Sequence, residues 1–191
     1  MYFWDWTLIL LVPAFLLGIY AQYKVSSAFK RYSQVASSRG LTGKEAARLV
    51  LDGGGLYNVG IEVGGGKLSD HYDPRTRNLS LSPDVGNSNS LAALGVAAHE
   101  AGHALQHAQG YSAFKLRSAL VPVANLGSNL GIIIFMVGLF LGYYQGVGWL
   151  MNVGIVLFSA AVLFTLVTLP VEFNASNRAI KELTNKSILV G

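Results

Sequence analysis

Ala97-Ala98-His99-Glu100-Ala101-Gly102-His103-Ala104-Leu105-Gln106-His107 is the stretch that decides how the chain is read. On a helix, side chains four apart stand one above the other on the same face. His99 and His103 can therefore share one zinc ion, and Glu100 follows the first of them closely enough to take a proton from water beside the metal. The small neighbours Ala97, Ala98, Ala101, Gly102 and Ala104 would let another backbone approach this helix closely. The alternative is a structural helix whose histidines are satisfied by hydrogen bonds.

Two ligands are too few. A catalytic zinc takes three protein ligands and leaves one position open. His107 continues the histidine stripe, but it lies about 12 Å along a straight helix from His99 at 1.5 Å per residue. One ion is not readily held by both, and no glycine between His103 and His107 breaks the helix to bring the third ring round. His107 is read instead as a polar wall of the cleft. His71 is placed in a loop, as a surface histidine or a contact for substrate or oxyanion. Glu172 is the favoured third ligand; the competing reading makes it a carboxylate serving the helix dipole. Pro170 suits the first turn of a new helix, from whose start Glu172 would project.

Outward from the motif, the composition leans toward a membrane. The 191 residues are 52% hydrophobic and only 13% charged. A net charge of +4 without a basic, aromatic-interleaved cluster argues against nucleic acid. With no cysteine, any zinc site must use histidine and carboxylate. Residues Phe3 to Tyr23 carry no charge between Asp5 and Lys24. About 20 such residues span a bilayer, and the flanks are wrong for a cleaved signal peptide. Lys24, Lys30, Arg31, Arg39, Lys44 and Arg48 follow this anchor and nothing basic precedes it, which places the next domain in the cytoplasm.

Thr42-Gly43-Lys44-Glu45 is a capping box opening a helix that stops at Gly53-Gly54-Gly55. Alternation from Tyr57 to Val63 predicts a strand, Asp73-Pro74-Arg75-Thr76 a turn, and Asn78 to Leu81 a second strand. By analogy with other zincins, and not from its spacing, that second strand is the expected partner for an extended substrate by strand addition. Asn87 to Ser90 supply N-caps for the motif helix, which should end near Gly110. A short amphipathic helix is expected over Ser112 to Leu120.

No charge appears between Arg117 and Glu172, room for two membrane helices with a break at 143–148 and Tyr143, Tyr144 and Trp149 at the interface. The hairpin returns Glu172 to the side of the His99 helix. Leu51-Asp52-Gly53 looks like the Asp motif of intramembrane metalloproteases, but it precedes the histidine pair instead of following it and reads as a helix end.

The chain resembles the bacterial membrane-anchored neutral zinc metallopeptidases of the YugP type over nearly its whole length. The resemblance is carried by 69–76, 97–106, 120–125 and Pro170-Val171-Glu172-Phe173. More distantly, Glu172 followed by Ala175 is similar to the second motif of gluzincin membrane proteases of the HtpX and CAAX-protease kind. This implies one zinc ion held by His99, His103 and Glu172, with Glu100 as general base. His71, Tyr72 and His107 are candidate contacts for substrate or oxyanion.

Two departures stand out: Ser176 where gluzincins commonly have an Asp that orients the first histidine, and Asn174 where the family often has Asp. Both are candidate partners of the ligands, and neutral ones give less basicity to the metal's histidines. The family also tends to carry a further C-terminal hydrophobic segment, which is not present before Gly191.

The expected architecture is a mainly α membrane protein. It comprises an anchor (1–23), a small α+β zincin-like cytoplasmic domain (24–120), a transmembrane hairpin (121–170) and a C-terminal helix carrying the third ligand (171–191). The expected function is a membrane-bound endopeptidase acting on peptide or protein substrates, with no nucleic-acid partner and an oligomeric state left open. A non-catalytic, zinc-stabilised membrane scaffold or partner-binding protein is the alternative.

Overall fold

The computed structural model describes residues 9, 11–66 and 69–188, with the side chains of 142–145 outside that description. It is mainly helical, with one small sheet. Helix α1 (Leu11–Tyr32) buries none of its residues and exposes Phe15, Leu16, Leu17, Ile19 and Tyr20. It is apolar up to Lys24 and runs on two further turns beyond it. The first part of the expected anchor lies outside the described residues.

Helix α2 (Gly43–Gly53) starts with the reciprocal capping box of Thr42 and Glu45. It turns Ala46, Ala47, Val50 and Leu51 into the core. Arg48 donates to Asp52 and to the carbonyls of Leu56 and Val59, fixing the loop after α2. Asp52, the lookalike of an intramembrane ligand, is thus engaged on its own helix.

The sheet contains β1 (Gly60–Val63), β2 (His71–Asp73) and β3 (Asn78–Leu81) in the order β1-β3-β2. β1 pairs with β3 in parallel, and β2 with β3 antiparallel. Two expectations are corrected here. The first strand begins at Gly60 and leaves Tyr57 exposed. His71 begins a strand instead of sitting in a loop, because the Asp73 carboxylate accepts from the Arg75 N–H and Thr76 hydroxyl and closes a tight hairpin. A third correction follows from strand order: β3 is central and flanked on both sides, so it cannot add a substrate strand.

After the short α3 (Pro83–Gly86), Ser90 caps α4 (Leu91–Ala108), the motif helix, by accepting from the Ala93 N–H. One face of α4 lies fully in the core through Leu94, Ala97, Ala98 and Ala101, against Leu79, Leu81 and Leu51.

Helices α5 (Ser112–Gln145) and α6 (Trp149–Asn185) form a long hairpin. Gly146 in the left-handed region (φ 69°) turns the chain. Glycines let the two backbones touch: a methyl on Gly127 would meet the Leu157 carbonyl oxygen at 2.6 Å. Outward-facing Ile132, Ile133, Phe140, Val156 and Leu163 leave the hairpin's surface apolar. Both helices contain stretches long and apolar enough to cross a membrane.

The structure has no separate amphipathic helix at 112–120 and no separate C-terminal helix from 171. α5 runs through Pro122 and α6 through Pro170. Each proline removes one backbone bond, a loss that extensive packing between neighbouring apolar helices accommodates. Glu172 consequently lies deep within α6 and not at a helix N-terminus, so it does not serve the helix dipole.

Candidate metal centre

α4 and α6 bring three of the sequence-predicted residues together. His99 Nε2 lies 3.1 Å and His103 Nε2 3.4 Å from the same oxygen, Glu172 Oε2. The two rings stand edge-on, 4.8 Å between centroids. One ligand atom from each of the three residues falls within 4.8 Å of the others, and among the described residues this is the cluster that could hold a metal. The helices meet so closely because Gly102 has no side chain: a Cβ there would lie 2.6 Å from the Ala175 carbonyl oxygen.

The far side of each ring is engaged. His99 Nδ1 is 3.0 Å from the Ser176 hydroxyl, and His103 Nδ1 donates to Gln106 Oε1 at 2.9 Å. Gln106 Nε2 donates to the Val171 carbonyl at 2.8 Å and to Asn174 Oδ1 at 3.0 Å. Of the two expected partners, Ser176 thus touches a ring directly and Asn174 acts one residue removed, through Gln106.

Both imidazoles turn Nε2 inward toward one carboxylate and anchor Nδ1 outside. That is how histidine presents a nitrogen to zinc, and two such rings with one carboxylate fit a zinc with an open position.

Charge is arranged to match. Glu172 lies beyond the charge-free part of α6, and its second oxygen, Oε1, is 3.2 Å from Arg117 Nη2. Its carboxyl is held well below the usual range by hydrogen bonds from His103 and His99, with burial opposing and Arg117 adding a smaller share. His99 is raised, chiefly by its bond to Glu172. Glu100, one residue along α4, is pushed up by burial against the pull of His103 and His99, and the Tyr72 backbone N–H faces it.

The remaining candidates are not members of the cluster. His107 Nδ1 is 2.9 Å from the Tyr72 hydroxyl, and both residues line a cavity of about 300 Å³ with Arg77 and Ala104. Tyr72 also lines a cleft of about 580 Å³ between the β2–β3 turn and α5, walled by Phe114, Arg117 and Val121. His71 is exposed, its Nδ1 on the Ser69 carbonyl at 2.7 Å.

Sequence reading missed Gln106, Arg117 and Arg178. Gln106 had a signal, since it lies three residues beyond His103 and so on its face of the helix. Arg117 and Arg178 depend on contacts between helices that spacing does not reveal.

Residues 7–191 match the sequence model of a family described as "Putative neutral zinc metallopeptidase". A Bacillus subtilis (strain 168) protein named "Putative membrane protease YugP" is 46% identical over 180 residues, covering 94% of this chain and 78% of that protein. No solved structure matches.

Proposed function

The chain belongs to the neutral zinc metallopeptidase family, and on that premise we propose that it is a membrane-bound endopeptidase working at the cytoplasmic face. The observation that carries this reading is the convergence of His99, His103 and Glu172 within 4.8 Å, next to the half-buried Glu100.

His99 and His103 through Nε2, with Glu172 through Oε2, would hold one zinc ion. When bound, zinc supplies Lewis acidity to water and to the scissile carbonyl. Glu100 takes the attacking water's proton and later delivers it to the leaving amine. Burial, which favours the neutral carboxylic acid, suits the second half of that task.

β2 is the substrate-pairing strand in this proposal. β3 is enclosed, whereas β2 is an edge whose Tyr72 N–H faces Glu100. An extended peptide pairing there would run between the cleft beside α5 and the cavity beside His107. The Tyr72 hydroxyl, a neutral phenol whose proton burial holds still more firmly, is the hydrogen-bond donor assigned to the developing oxyanion.

Charge supports the cytoplasmic side: Lys24, Lys30 and Arg31 lie in the C-terminal part of α1, Lys115 and Arg117 at the start of α5 and Arg178 near the end of α6, whereas the turn 145–148 that joins α5 to α6 is uncharged.

The test is zinc content and peptide turnover of detergent-purified protein. Glu100→Gln should keep the metal and lose hydrolysis by on the order of 100-fold or more. Glu172→Ala should lose both. Full zinc occupancy in the wild type with no turnover of a diverse peptide library overturns the enzymatic reading in favour of a zinc-stabilised scaffold.

A further inference from the structure

The cleft beside α5 is built on one face of that helix. Phe114, Arg117, Ser118, Val121, Pro122 and Asn125 line it, at the three- and four-residue spacings that keep side chains on a single side. Tyr72 and Pro74, from β2 and the turn after it, also line it. At one end the cleft meets the proposed chemistry. Arg117 lies 3.2 Å from Glu172, and the Tyr72 N–H faces Glu100. At the other end it follows α5 into its uncharged arm, since no charge comes after Arg117 on that helix.

Both arms of the hairpin put the apolar layer at the same depth. About 20 residues cross the hydrocarbon of a bilayer. Counted back from Gln145, that length of α5 ends beside Asn125. Counted forward from Trp149, it ends on α6 near Thr168, about one turn short of Glu172. Arg117 and Asn125 are about 12 Å apart along α5 at 1.5 Å per residue. The cleft therefore bridges the space between the candidate metal centre and the edge of the apolar layer.

This face of α5 is poorly suited to lipid. Pro122 has no N–H, so the carbonyl of Ser118, four residues earlier, lacks its helical donor. Both residues line the cleft, and so does Asn125 with its side-chain amide. Hydrocarbon offers such groups no partner, and they are tolerated at membrane depth where protein covers them or a water-filled cavity reaches them. Phe114, Val121 and the Pro122 ring add apolar surface along the same face. Backbone acceptor, amide and apolar side chains together match an extended polypeptide, which presents N–H groups and side chains at once. An acyl chain has no donor to give.

We propose that this cleft holds the stretch of a membrane-anchored substrate that lies between its scissile bond and its own transmembrane segment. An extended chain covers about 12 Å in about four residues at roughly 3.3 Å each, so the cut falls about four residues outside the bilayer. The substrates are then membrane proteins trimmed beside the lipid, not free peptides. This rests on the endopeptidase reading for the cut, and on the hairpin crossing the membrane.

The experiment uses zinc-loaded, full-length protein in vesicles of phosphatidylcholine and phosphatidylglycerol, in two measurements. In the first, one peptide sequence is offered free, or joined to an apolar membrane-spanning helix through one, four or sixteen residues, with that helix on either side of the scissile bond. The sixteen-residue spacer shares the concentrating effect of anchoring but not the geometry. In the better of the two orientations, the four-residue spacer should be cut about tenfold or more faster than the free peptide and than either other spacer. A rate that rises steadily with spacer length, or equals that of the free peptide, overturns the proposal.

The second measurement does not depend on turnover. In the Glu100→Gln background, photoreactive benzoylphenylalanine replaces Val121 in the cleft or Val123, an exposed residue that does not line it. Position 121 should capture the four-residue-spacer peptide in preference to the sixteen, and position 123 should not. Equal capture at both positions, or capture of phospholipid alone from 121, overturns the proposal. If either variant fails to fold, the wild-type spacer series decides. Should no peptide be cleaved while 121 captures the short-spacer peptide, the endopeptidase reading falls and the docking role stands. Should all peptides be cleaved without regard to spacer while 121 captures none, the endopeptidase reading stands and this proposal falls.

Discussion

Arg117 and Glu172, the last charge before the apolar hairpin and the first after it, meet side by side at 3.2 Å, Nη2 to Oε1. The hairpin therefore does more than anchor the chain, because its two arms deliver one carboxylate and its counter-charge to the same point. Arg117 occupies Oε1 while both histidines face Oε2, so the guanidinium orients Glu172 to offer one oxygen to the cluster.

Replacing Arg117 separates this orienting role from stability. The pair is about one-third exposed on each side, and such ion pairs contribute little, about 0 to 1 kcal/mol. Arg117→Ala should lower the melting temperature by only a degree or two, yet weaken zinc binding about tenfold, because a partner of a metal ligand is lost. Chelator competition set beside thermal unfolding of zinc-free protein checks both. A large loss of stability with unchanged zinc affinity would make Arg117 a structural residue.

Gly102 offers the opposite contrast. A methyl there meets the Ala175 carbonyl oxygen at 2.6 Å, a backbone atom that cannot swing aside. Gly102→Ala should push α4 and α6 apart, costing about 1–3 kcal/mol by overpacking. Because Glu172 is then carried away from His99 and His103, zinc should stabilise this variant less than wild type. Equal zinc-induced shifts in melting temperature would show that the helix approach is not what sets the site.

How far the sequence carried the argument depends on the kind of physics involved. Features set within one element were legible: the Thr42–Glu45 box, the i, i+4 histidines, the Ser90 cap, the glycine turn of the hairpin. Pro170 misled because it was taken for the first turn of a new helix, whereas α6 runs through it and packing between long apolar helices outweighs one missing backbone bond. Strand order was also out of reach. Alternation marks β3 as a strand but does not say that β1 and β2 cover both its edges, and so the analogy with other zincins was applied to the wrong strand. Likewise, Asn174 was noticed for its family position, while its real contact, Gln106 from another helix, needed the fold.

The capping box gives a pH dependence of stability. The Glu45 carboxyl is lowered from its ordinary 4.5, first by the Thr42 backbone N–H and then by the Thr42 hydroxyl. A carboxyl lowered in the folded state contributes stability that is fully present above its unfolded value and is lost as pH falls through the folded one. The stability difference between wild type and Glu45→Gln should accordingly be constant near neutrality and shrink below about pH 4.5. A difference that instead grows on acidification would contradict the assigned bonds.

Tyr72 and His71 sit next to each other on β2, and their substitution should have opposite consequences. The Tyr72 side chain lines both the cavity beside His107 and the cleft beside α5, and its hydroxyl is a neutral donor whose ionisation burial makes harder still. Tyr72→Phe retains the ring and the edge N–H but removes that donor. Loss of one donor to a developing oxyanion typically costs on the order of 100-fold in kcat, so kcat should fall by that order while KM and zinc content stay near wild type. His71 is exposed and turned onto the Ser69 carbonyl, so His71→Ala should change neither. Steady-state kinetics with one peptide substrate, together with metal analysis of the same preparations, distinguish the two. A kcat loss in His71→Ala, with Tyr72→Phe fully active, would transfer the donor role to His71 and remove the Tyr72–His107 pair from the chemistry.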